Sequence, residues 1–182
     1  MPLSKDHYTS EDYWNLPEGE RAELIGGKFY DIAPPSQIHQ EISEQIYKTL
    51  ANYIDARRGS CKVYAAPFAV NLDANDKDWV APDISVICDP NKLTDRGCSG
   101  APDLIFEIVS QASRKLDYGI KNGIYSQSGV REYWIVDPAK EKVVVYYYDR
   151  DSDPCLYSYD SDIPVGIYPG LSIKINDLLK NY

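Results

Sequence analysis

The apolar positions of this chain follow two different periods. Between residues 37 and 58 they recur in steps of three or four, the spacing of a helix with one buried face. The series comprises Ile38, Ile42, Ile46, Leu50 and then Tyr53 or Ile54. Ser36 stands directly before it and is of the residue type that caps helix N-termini. We therefore predict a helix from about Gln37 to Arg58.

Shorter apolar runs elsewhere predict strands. The stretch "AELIGGKFYDIA" indicates a hairpin that turns at Gly26-Gly27, because glycine tolerates positive φ. The further predicted elements are strands at 62–72, 79–88, 103–110, 131–138 and 142–150, a second helix near Ser113–Ser128, short β pieces over 155–175 and a helical turn over 175–182. Helices and strands in this order predict an α/β or α+β sheet domain.

The length of 182 residues suits one domain. We expect residues 1–19 to be irregular, apart from a short helix at Glu11–Asn15, and residues 20–182 to form a single domain. No apolar run approaches the roughly 18 residues of a membrane span. The N-terminal stretch also has no apolar h-region of the kind that a signal peptide carries. We therefore expect no membrane partner.

Charge and cysteine usage narrow the function classes. A net charge of −9 argues against broad, non-specific affinity for nucleic acid. The pairs Arg57-Arg58 and Arg114-Lys115 could make local phosphate contacts, but we favour solvated helix ends. No C-x-x-C motif is present and a Cys/His zinc site is not expected, given four separated cysteines (Cys61, Cys88, Cys98, Cys155) and two histidines (His7, His39). Scattered thiols suit a reducing cytoplasm.

Two acids lie inside apolar strands, where a carboxylate is rarely found without a partner. Asp83 lies in "APDISVI" and Glu107 in "DLIFEIV". If the two strands pair, both side chains can converge, and two close buried carboxylates need a cation or a shared proton. Carboxylate oxygens favour Mg²⁺ or Mn²⁺ over zinc. The alternative is two acids that face solvent or bind backbone amides.

A lysine follows on the second predicted helix. Asp117, Lys121 and Tyr125 stand at i, i+4 and i+8, and Ile120 and Ile124 are expected on the neighbouring face, towards the sheet. A lysine held over a metal-bound water could orient it or offset charge on an attacked phosphate. The alternative, which the spacing alone favours, is a surface pair of Asp117 and Lys121 worth about 0.3–0.5 kcal/mol.

Several stretches in one order carry a resemblance to a known family. They are "RAELIGGKFYDIAPPSQIHQEI", "APDISVI", "PDLIFEIVS", the spaced Asp117, Lys121 and Tyr125, and "GVREYWIVDP". From about Glu20 to Leu179 the chain resembles the bacterial "putative restriction endonuclease" domain family, a branch of the PD-(D/E)XK nuclease superfamily. The resemblance implies a restriction endonuclease-like core: a mixed central sheet flanked by helices, with an N-terminal β-hairpin.

The same resemblance implies a Mg²⁺-dependent phosphodiesterase site, with Mn²⁺ as a substitute ion. It maps the metal-binding acids onto Asp83 and Glu107, and the backbone carbonyl of Ile108 is expected to complete the protein ligands. The superfamily's usual lysine, two residues after the second acid, is absent, since Val109 stands there. In the resembling family a lysine on the following helix takes its place, here Lys121.

The family pattern also includes an acid before the hairpin turn and a histidine entering the first helix. These map onto Glu23 and His39, with Asp117 and Tyr125 as further supporting residues. Glu23 could equally be an exposed residue paired with Arg21, and His39 a satisfied histidine at the helix start.

The functions implied are therefore of three classes. The first is a metal-dependent nuclease, with DNA as the expected nucleic-acid partner and a homodimer as the expected assembly. The second is a catalytically inactive nuclease-fold module for binding or assembly, which the acidic composition and the displaced lysine favour somewhat. The third is a glycosidase, whose two acids would stand roughly 5–9.5 Å apart across a sugar-sized groove.

Overall fold

The computed structural model describes residues 7–180 of the chain. Its helices are α1 Ser10–Trp14, α2 Gln37–Ala56, α3 Asn122–Ser128 and α4 Ile175–Leu179, with a 3₁₀ turn at Pro90–Lys92 and a π-helix at Leu116–Lys121. Its strands are β1 Ala22–Ile25, β2 Lys28–Asp31, β3 Lys62–Ala65, β4 Val70–Asn71, β5 Trp79–Val80, β6 Ile84–Ile87, β7 Leu93–Thr94, β8 Gly97–Ser99, β9 Leu104–Ile108, β10 Glu132–Asp137, β11 Lys142–Tyr147, β12 Cys155–Ser158, β13 Ile163–Pro164 and β14 Ser172–Ile173. The predictions for residues 1–6 and 181–182 lie outside the described residues.

The central sheet has the order β12-β11-β10-β9-β6-β3 and is mixed. Strand β9 runs parallel to β10 and antiparallel to β6. A parallel pair needs a crossover connection, and here the π-helix and α3 supply it between β9 and β10. The predicted mixed sheet flanked by helices is therefore confirmed.

The predicted first helix packs on one face of this sheet. The buried residues of α2, Ile42, Ile46, Leu50 and Ile54, belong to the same apolar cluster as Phe106 and Trp134 of the sheet. Ser36 accepts a hydrogen bond from the backbone N–H of His39, as an N-cap residue does. The helix ends two residues before the predicted Arg58.

The opposite face of the central sheet is covered by α3 and by a second sheet. That second sheet has the order β2-β1-β5-β4-β8-β7 and contains the predicted N-terminal hairpin. Gly26 and Gly27 at its turn have φ of 57° and 75°, the two positive values that a tight primed turn requires. On this face Ile105 and Ile135 pack with Tyr125 of α3 and Val80 of the second sheet.

Two predicted strands are each divided between the two sheets. The 62–72 stretch forms β3 in the central sheet and β4 in the second, and the 79–88 stretch forms β5 and then β6. Pro67 and Pro82 stand at the two crossings. Proline has no N–H for a strand ladder, so each chain segment changes sheets there.

The predicted second helix near Ser113–Ser128 is present, as the π-helix Leu116–Lys121 followed directly by α3 Asn122–Ser128. Two other expectations are wrong. Ile120 does not face the sheet but is 42% exposed. The cysteines are not all free thiols, since Cys61 and Cys88 flank paired strands β3 and β6 and form a disulfide.

No helix within residues 7–180 is long and apolar enough to cross a membrane.

Gly97 provides a test of how closely β4 and β8 approach. A Cβ atom at Gly97 would lie 2.0 Å from the backbone oxygen of Ala69, and its φ is +122°. We expect Gly97→Ala to lower the free energy of unfolding by about 3 kcal/mol or more, because backbone must move to admit the methyl group. Denaturant unfolding measures the change. Gly170→Ala is the control, with φ of +85° and no atom within 4 Å of its Cβ position, and an equal loss in both variants would contradict the clash.

Candidate active site

The carboxylate of Glu107 faces a buried lysine and a buried tyrosine. Alternation along β9 places Phe106 and Ile108 towards α2, and Ile105 and Glu107 towards the opposite layer. There Lys121 Nζ and Tyr125 Oη donate hydrogen bonds to Glu107 Oε1, over 2.9 and 2.8 Å. The apolar strand therefore tolerates its acid because charged and polar partners meet it inside the protein.

Three acids from three different elements surround Lys121. Its Nζ lies 2.9 Å from Glu107 Oε1, 2.9 Å from Glu23 Oε2 and 3.5 Å from Asp117 Oδ1. All four residues are at least 96% buried. Glu23 comes from the hairpin strand β1, and its other oxygen accepts a hydrogen bond from the backbone N–H of Ala81 over 2.9 Å. Glu23 is therefore not an exposed residue paired with Arg21. The ion pair of Asp117 and Lys121 is buried and does not lie on the surface.

Asp83 lies beside this cluster, directly before β6. Its Oδ2 accepts a hydrogen bond from the backbone N–H of Ile108 over 2.7 Å and lies 3.1 Å from His39 Nε2. The N–H and C=O groups of one strand residue point to the same side, so the Ile108 carbonyl also points towards Asp83. His39 thus reaches from α2 to Asp83, beside the end of β9.

The electrostatics of the cluster follow from burial and from an excess of acid. Burial raises the pKa of Glu107 well above its ordinary value; Lys121 lowers it in part, and Asp117, Asp83 and Glu23 raise it further. Burial also raises the pKa of Asp117. For Lys121, burial lowers the pKa, but the attraction of Glu107, Glu23 and Asp117 outweighs it and leaves the value well above normal. Lys121 therefore remains an ammonium group.

The pKa of His39 is also raised. Burial lowers it, but the hydrogen bond and charge of Asp83, with a contribution from Asp117, more than compensate. The cluster thus contains four acids against one ammonium group and one imidazole whose protonated form is favoured. Such an imbalance is relieved by a further cation or by a proton held on the acids whose pKa is raised.

The donor atoms fit a hard divalent cation. The hydrogen bonds given above fall on Asp83 Oδ2 and Glu107 Oε1. Within the described chain, the buried atoms His39 Nδ1 and Asp117 Oδ1 have no hydrogen-bond partner. Two carboxylate oxygens and one carbonyl suit Mg²⁺, which takes its other ligands from water and substrate. Across residues 7–180, no three His, Cys, Asp or Glu side chains are grouped so that they could hold a metal by themselves.

The π-helix brings Lys121 to this position, and a salt bridge anchors the start of the segment. Arg114 binds both carboxylate oxygens of Asp137, and Tyr118 donates to the same carboxylate over 3.2 Å. Tyr133 of β10 donates to the backbone oxygen of Asp117 over 3.0 Å. The prediction that the basic pairs are solvated at helix ends is therefore wrong for Arg114. Arg57, at the end of α2, is exposed.

Sequence reasoning missed Asp137 and Tyr118 as residues that hold the site together. Asp137 is the last residue of β10, after four buried apolar residues, and stands directly before the proline that ends the stretch "GVREYWIVDP". The same argument that singled out Asp83 and Glu107, an acid within an apolar strand, would have found it.

The comparisons with known proteins agree with this architecture. The sequence model of the family described as "Uma2: Putative restriction endonuclease" matches residues 10–175, so the chain belongs to that family. "Uncharacterized protein slr1290" of Synechocystis sp. is 24% identical over 160 residues, or 87% of this chain and 81% of that protein. A crystal structure of "a putative nuclease belonging to DUF820" from Anabaena variabilis has a TM-score of 0.73 at 22% identity, covering 93% of this chain and 96% of that one. The fold is thus that of a nuclease-like, restriction endonuclease-like protein.

Asp137 should stabilise the protein in a pH-dependent way. Burial raises its pKa, but the hydrogen bonds and charge of Arg114 outweigh this and leave the value lowered. We expect Asp137→Asn to cost roughly 2 kcal/mol at neutral pH, the scale for hydrogen bonds to a charged group. This stabilisation is present above the unfolded-state pKa of about 3.9 and is lost as the pH falls through the folded-state value. Denaturant unfolding at neutral and acid pH should show the gap to wild type closing below about pH 4.

The control for this variant is Asp149→Asn. Asp149 forms an exposed ion pair with Arg131 at 3.4 Å, and loss of such a pair costs at most about 1 kcal/mol. A loss in Asp137→Asn that is no larger, or that persists unchanged at acid pH, would contradict the anchoring role.

Proposed function

We propose that the protein is a metal-dependent nuclease that hydrolyses phosphodiester bonds, with DNA as the first substrate to test. The observation that carries the proposal is the convergence of Asp83, Glu107 and Lys121 at one end of β9. Membership of a family described as "Putative restriction endonuclease" supports it, as does the likeness in fold to a protein titled a putative nuclease. The same comparisons favour this reading over a glycosidase.

Mg²⁺, or Mn²⁺ in its place, is the expected cofactor. Asp83, Glu107 and the carbonyl of Ile108 would hold the ion. When bound, such an ion polarises a phosphoryl oxygen and lowers the pKa of its water. His39 and the Ile108 N–H hold the Asp83 carboxylate in place, and Tyr125 does the same for Glu107.

Lys121 is the proposed catalytic cation. Its ammonium group lies within 3.5 Å of three carboxylates. If the ammonium group moved away, these buried carboxylates would repel one another. A fixed, buried positive charge beside the metal ligands offsets the negative charge that develops on an attacked phosphate, with no reorganisation at the moment of reaction. Glu23 and Asp117 act by positioning this lysine.

A homodimer is the proposed assembly. Two copies would bring two sites to the two strands of a duplex. Analytical ultracentrifugation with and without duplex DNA measures the assembly. The cytoplasm, expected from scattered thiols, loses that argument because Cys61 and Cys88 form a disulfide.

The second candidate is a catalytically inactive nuclease-fold module. One observation favours it: Lys121 is already neutralised by its own acids, and no side chain supplies a third acidic or histidine ligand within the described residues. The activity assays below decide between the two candidates, because the module would bind nucleic acid and cleave none.

The proposed ligands are tested by metal binding. We expect Asp83→Asn and Glu107→Gln each to weaken Mn²⁺ binding in calorimetry by about tenfold or more, because each removes a charged ligand. Both variants should also lose cleavage of plasmid, single-stranded DNA and RNA in Mg²⁺. Asp149→Asn, an exposed acid elsewhere, should bind Mn²⁺ as wild type does. Wild-type affinity in both site variants would refute the metal site.

The role of Lys121 is tested by a variant that keeps its length. Lys121→Met should lower turnover by about 10²-fold or more, the loss seen when one transition-state donor is removed. It should also destabilise the protein, because the buried acids lose their counter-charge, at a cost of about 3–5 kcal/mol for a fully broken buried pair. Circular dichroism must therefore show a folded variant before its turnover is compared.

Lys115→Met is the matched control, since Lys115 is exposed on the same segment. It should retain activity and stability. Equal losses in both variants would mean a diffuse basic patch, and full activity in folded Lys121→Met would exclude Lys121 from the chemistry.

A further inference from the structure

An aromatic cleft lies beside the proposed active site, on the second sheet. Its volume is about 480 Å³, within the range of small-molecule sites. The lining residues are Tyr13, Trp14, Pro67, Phe68, Ala69, Ala81, Thr94, Asp95, Arg96 and Gly97. Trp14 is 38% exposed although it is the largest side chain of the set. The mechanism proposed above uses none of these residues.

The rings of this cleft are held in place by their neighbours. Trp79 lies beneath, stacked on Tyr13 at 5.5 Å and meeting Trp14 edge-on at 5.1 Å. Its indole N–H donates to Ser10 Oγ over 2.6 Å and so anchors helix α1. On the other wall Phe68 stacks on Tyr64 at 4.0 Å and 9°. Rings fixed in this way lose little conformational entropy when a flat ligand stacks on them.

The cleft also contains a positively charged side chain, that of Arg96. The guanidinium group of Arg96 lies 5.4 Å from the centre of the Trp14 ring, and Arg96 is itself exposed. Asp95 stands next to it as the one acid of the lining. An arginine plane beside an indole ring is the pair that stacks on nucleobases in sites for single-stranded nucleic acid.

One carboxylate joins the cleft to the proposed catalytic cluster. Ala81 lines the cleft, and its N–H donates to Glu23 Oε1 over 2.9 Å, while Glu23 Oε2 contacts Lys121 Nζ at 2.9 Å. Asp83 lies two residues further along the same loop. The cleft wall and the cluster are therefore joined by one buried glutamate side chain and by the short segment from Ala81 to Asp83, whose side chain is 18% exposed.

We propose that this cleft binds one unpaired nucleobase of a nucleic-acid strand whose backbone passes Asp83, the partly exposed acid at the edge of the Asp83–Glu107–Lys121 cluster. The inference rests on the proposed function for the position of the backbone, and it adds the substrate class: a single strand or an extruded nucleotide. Trp14 and Phe68 provide the stacking faces, and Arg96 covers the base or binds its phosphate.

Binding without metal tests the subsite apart from catalysis. We would measure fluorescence anisotropy of a labelled oligothymidylate in EDTA, and of an oligomer with the same phosphates but abasic sugars. Trp14→Ala should weaken binding of the oligothymidylate roughly tenfold, the scale of one lost stacking contact. It should leave binding of the abasic oligomer and of a blunt duplex within about twofold. Trp14→Phe, which keeps a ring, should restore most of the affinity.

Arg96→Ala gives a second test that does not depend on the folding of α1. It should weaken oligothymidylate binding by several-fold or more. Its matched control is Arg57→Ala, because Arg57 also lies over an aromatic ring, Tyr53, at 3.8 Å but outside the cleft. Tyr47→Ala, which removes an aromatic side chain that is 36% exposed on α2, is the control for Trp14. Neither control should change binding by more than about twofold.

The outcomes separate this inference from the proposed function. Base-dependent binding that Trp14→Ala abolishes, in a protein that cleaves nothing in Mg²⁺, supports the subsite and refutes the nuclease. Cleavage of nucleic acid that all cleft variants retain, with unchanged oligothymidylate affinity, refutes the subsite and leaves the nuclease standing. Equal weakening of the abasic and base-bearing oligomers, or no binding of any oligomer by wild type, also overturns the subsite.

Discussion

The buried ammonium group of Lys121 connects the three parts of the fold that form the candidate site. Glu23 reaches it from the hairpin of the second sheet, Glu107 from the centre of the main sheet and Asp117 from the π-helix. Without a central positive charge these carboxylates would repel one another in a dry environment. The packing of the second sheet against the central sheet is thus coupled to one charge, and so are the positions of Glu23, Glu107 and Asp117.

The π-helix explains how a lysine on the crossover segment can reach this point. Such helices are rare, and they are frequently found at functional sites. Here the sheet anchors the start of the segment, through Arg114 on Asp137 and through Tyr133 on the Asp117 carbonyl. Further along the segment, Lys121 and Tyr125 both donate to a single oxygen of Glu107.

The loop that crosses between the sheets at Pro82 has two functions in this arrangement. On one side Ala81 lines the aromatic cleft, and on the other Asp83 meets the N–H of Ile108 and the ring of His39. Both residues belong to one short segment, which links the proposed base subsite to the proposed metal ligand. A short connection of this kind would keep a strand bound at both places in register with the reacting groups.

The sequence by itself determined the elements and the acids that needed partners. The α2 periodicity, the Gly26-Gly27 turn and the lone acids Asp83 and Glu107 are local properties, and each depends on residues close together in the chain. The family resemblance then supplied the order of the motifs and pointed to Lys121. These features could be predicted because burial on one helix or strand face leaves a periodic trace in the residues themselves.

Only the tertiary structure decided which side chains meet. The residues next to Glu23 and Lys121 in the sequence are compatible with either exposed or buried side chains at these positions. Both side chains are buried because the second sheet packs over β9. The division of two strands at proline, the Cys61–Cys88 bond, the exposure of Ile120 and the cleft around Trp14 have the same origin. They arise from contacts between segments far apart in the chain, and such contacts leave no period in the sequence.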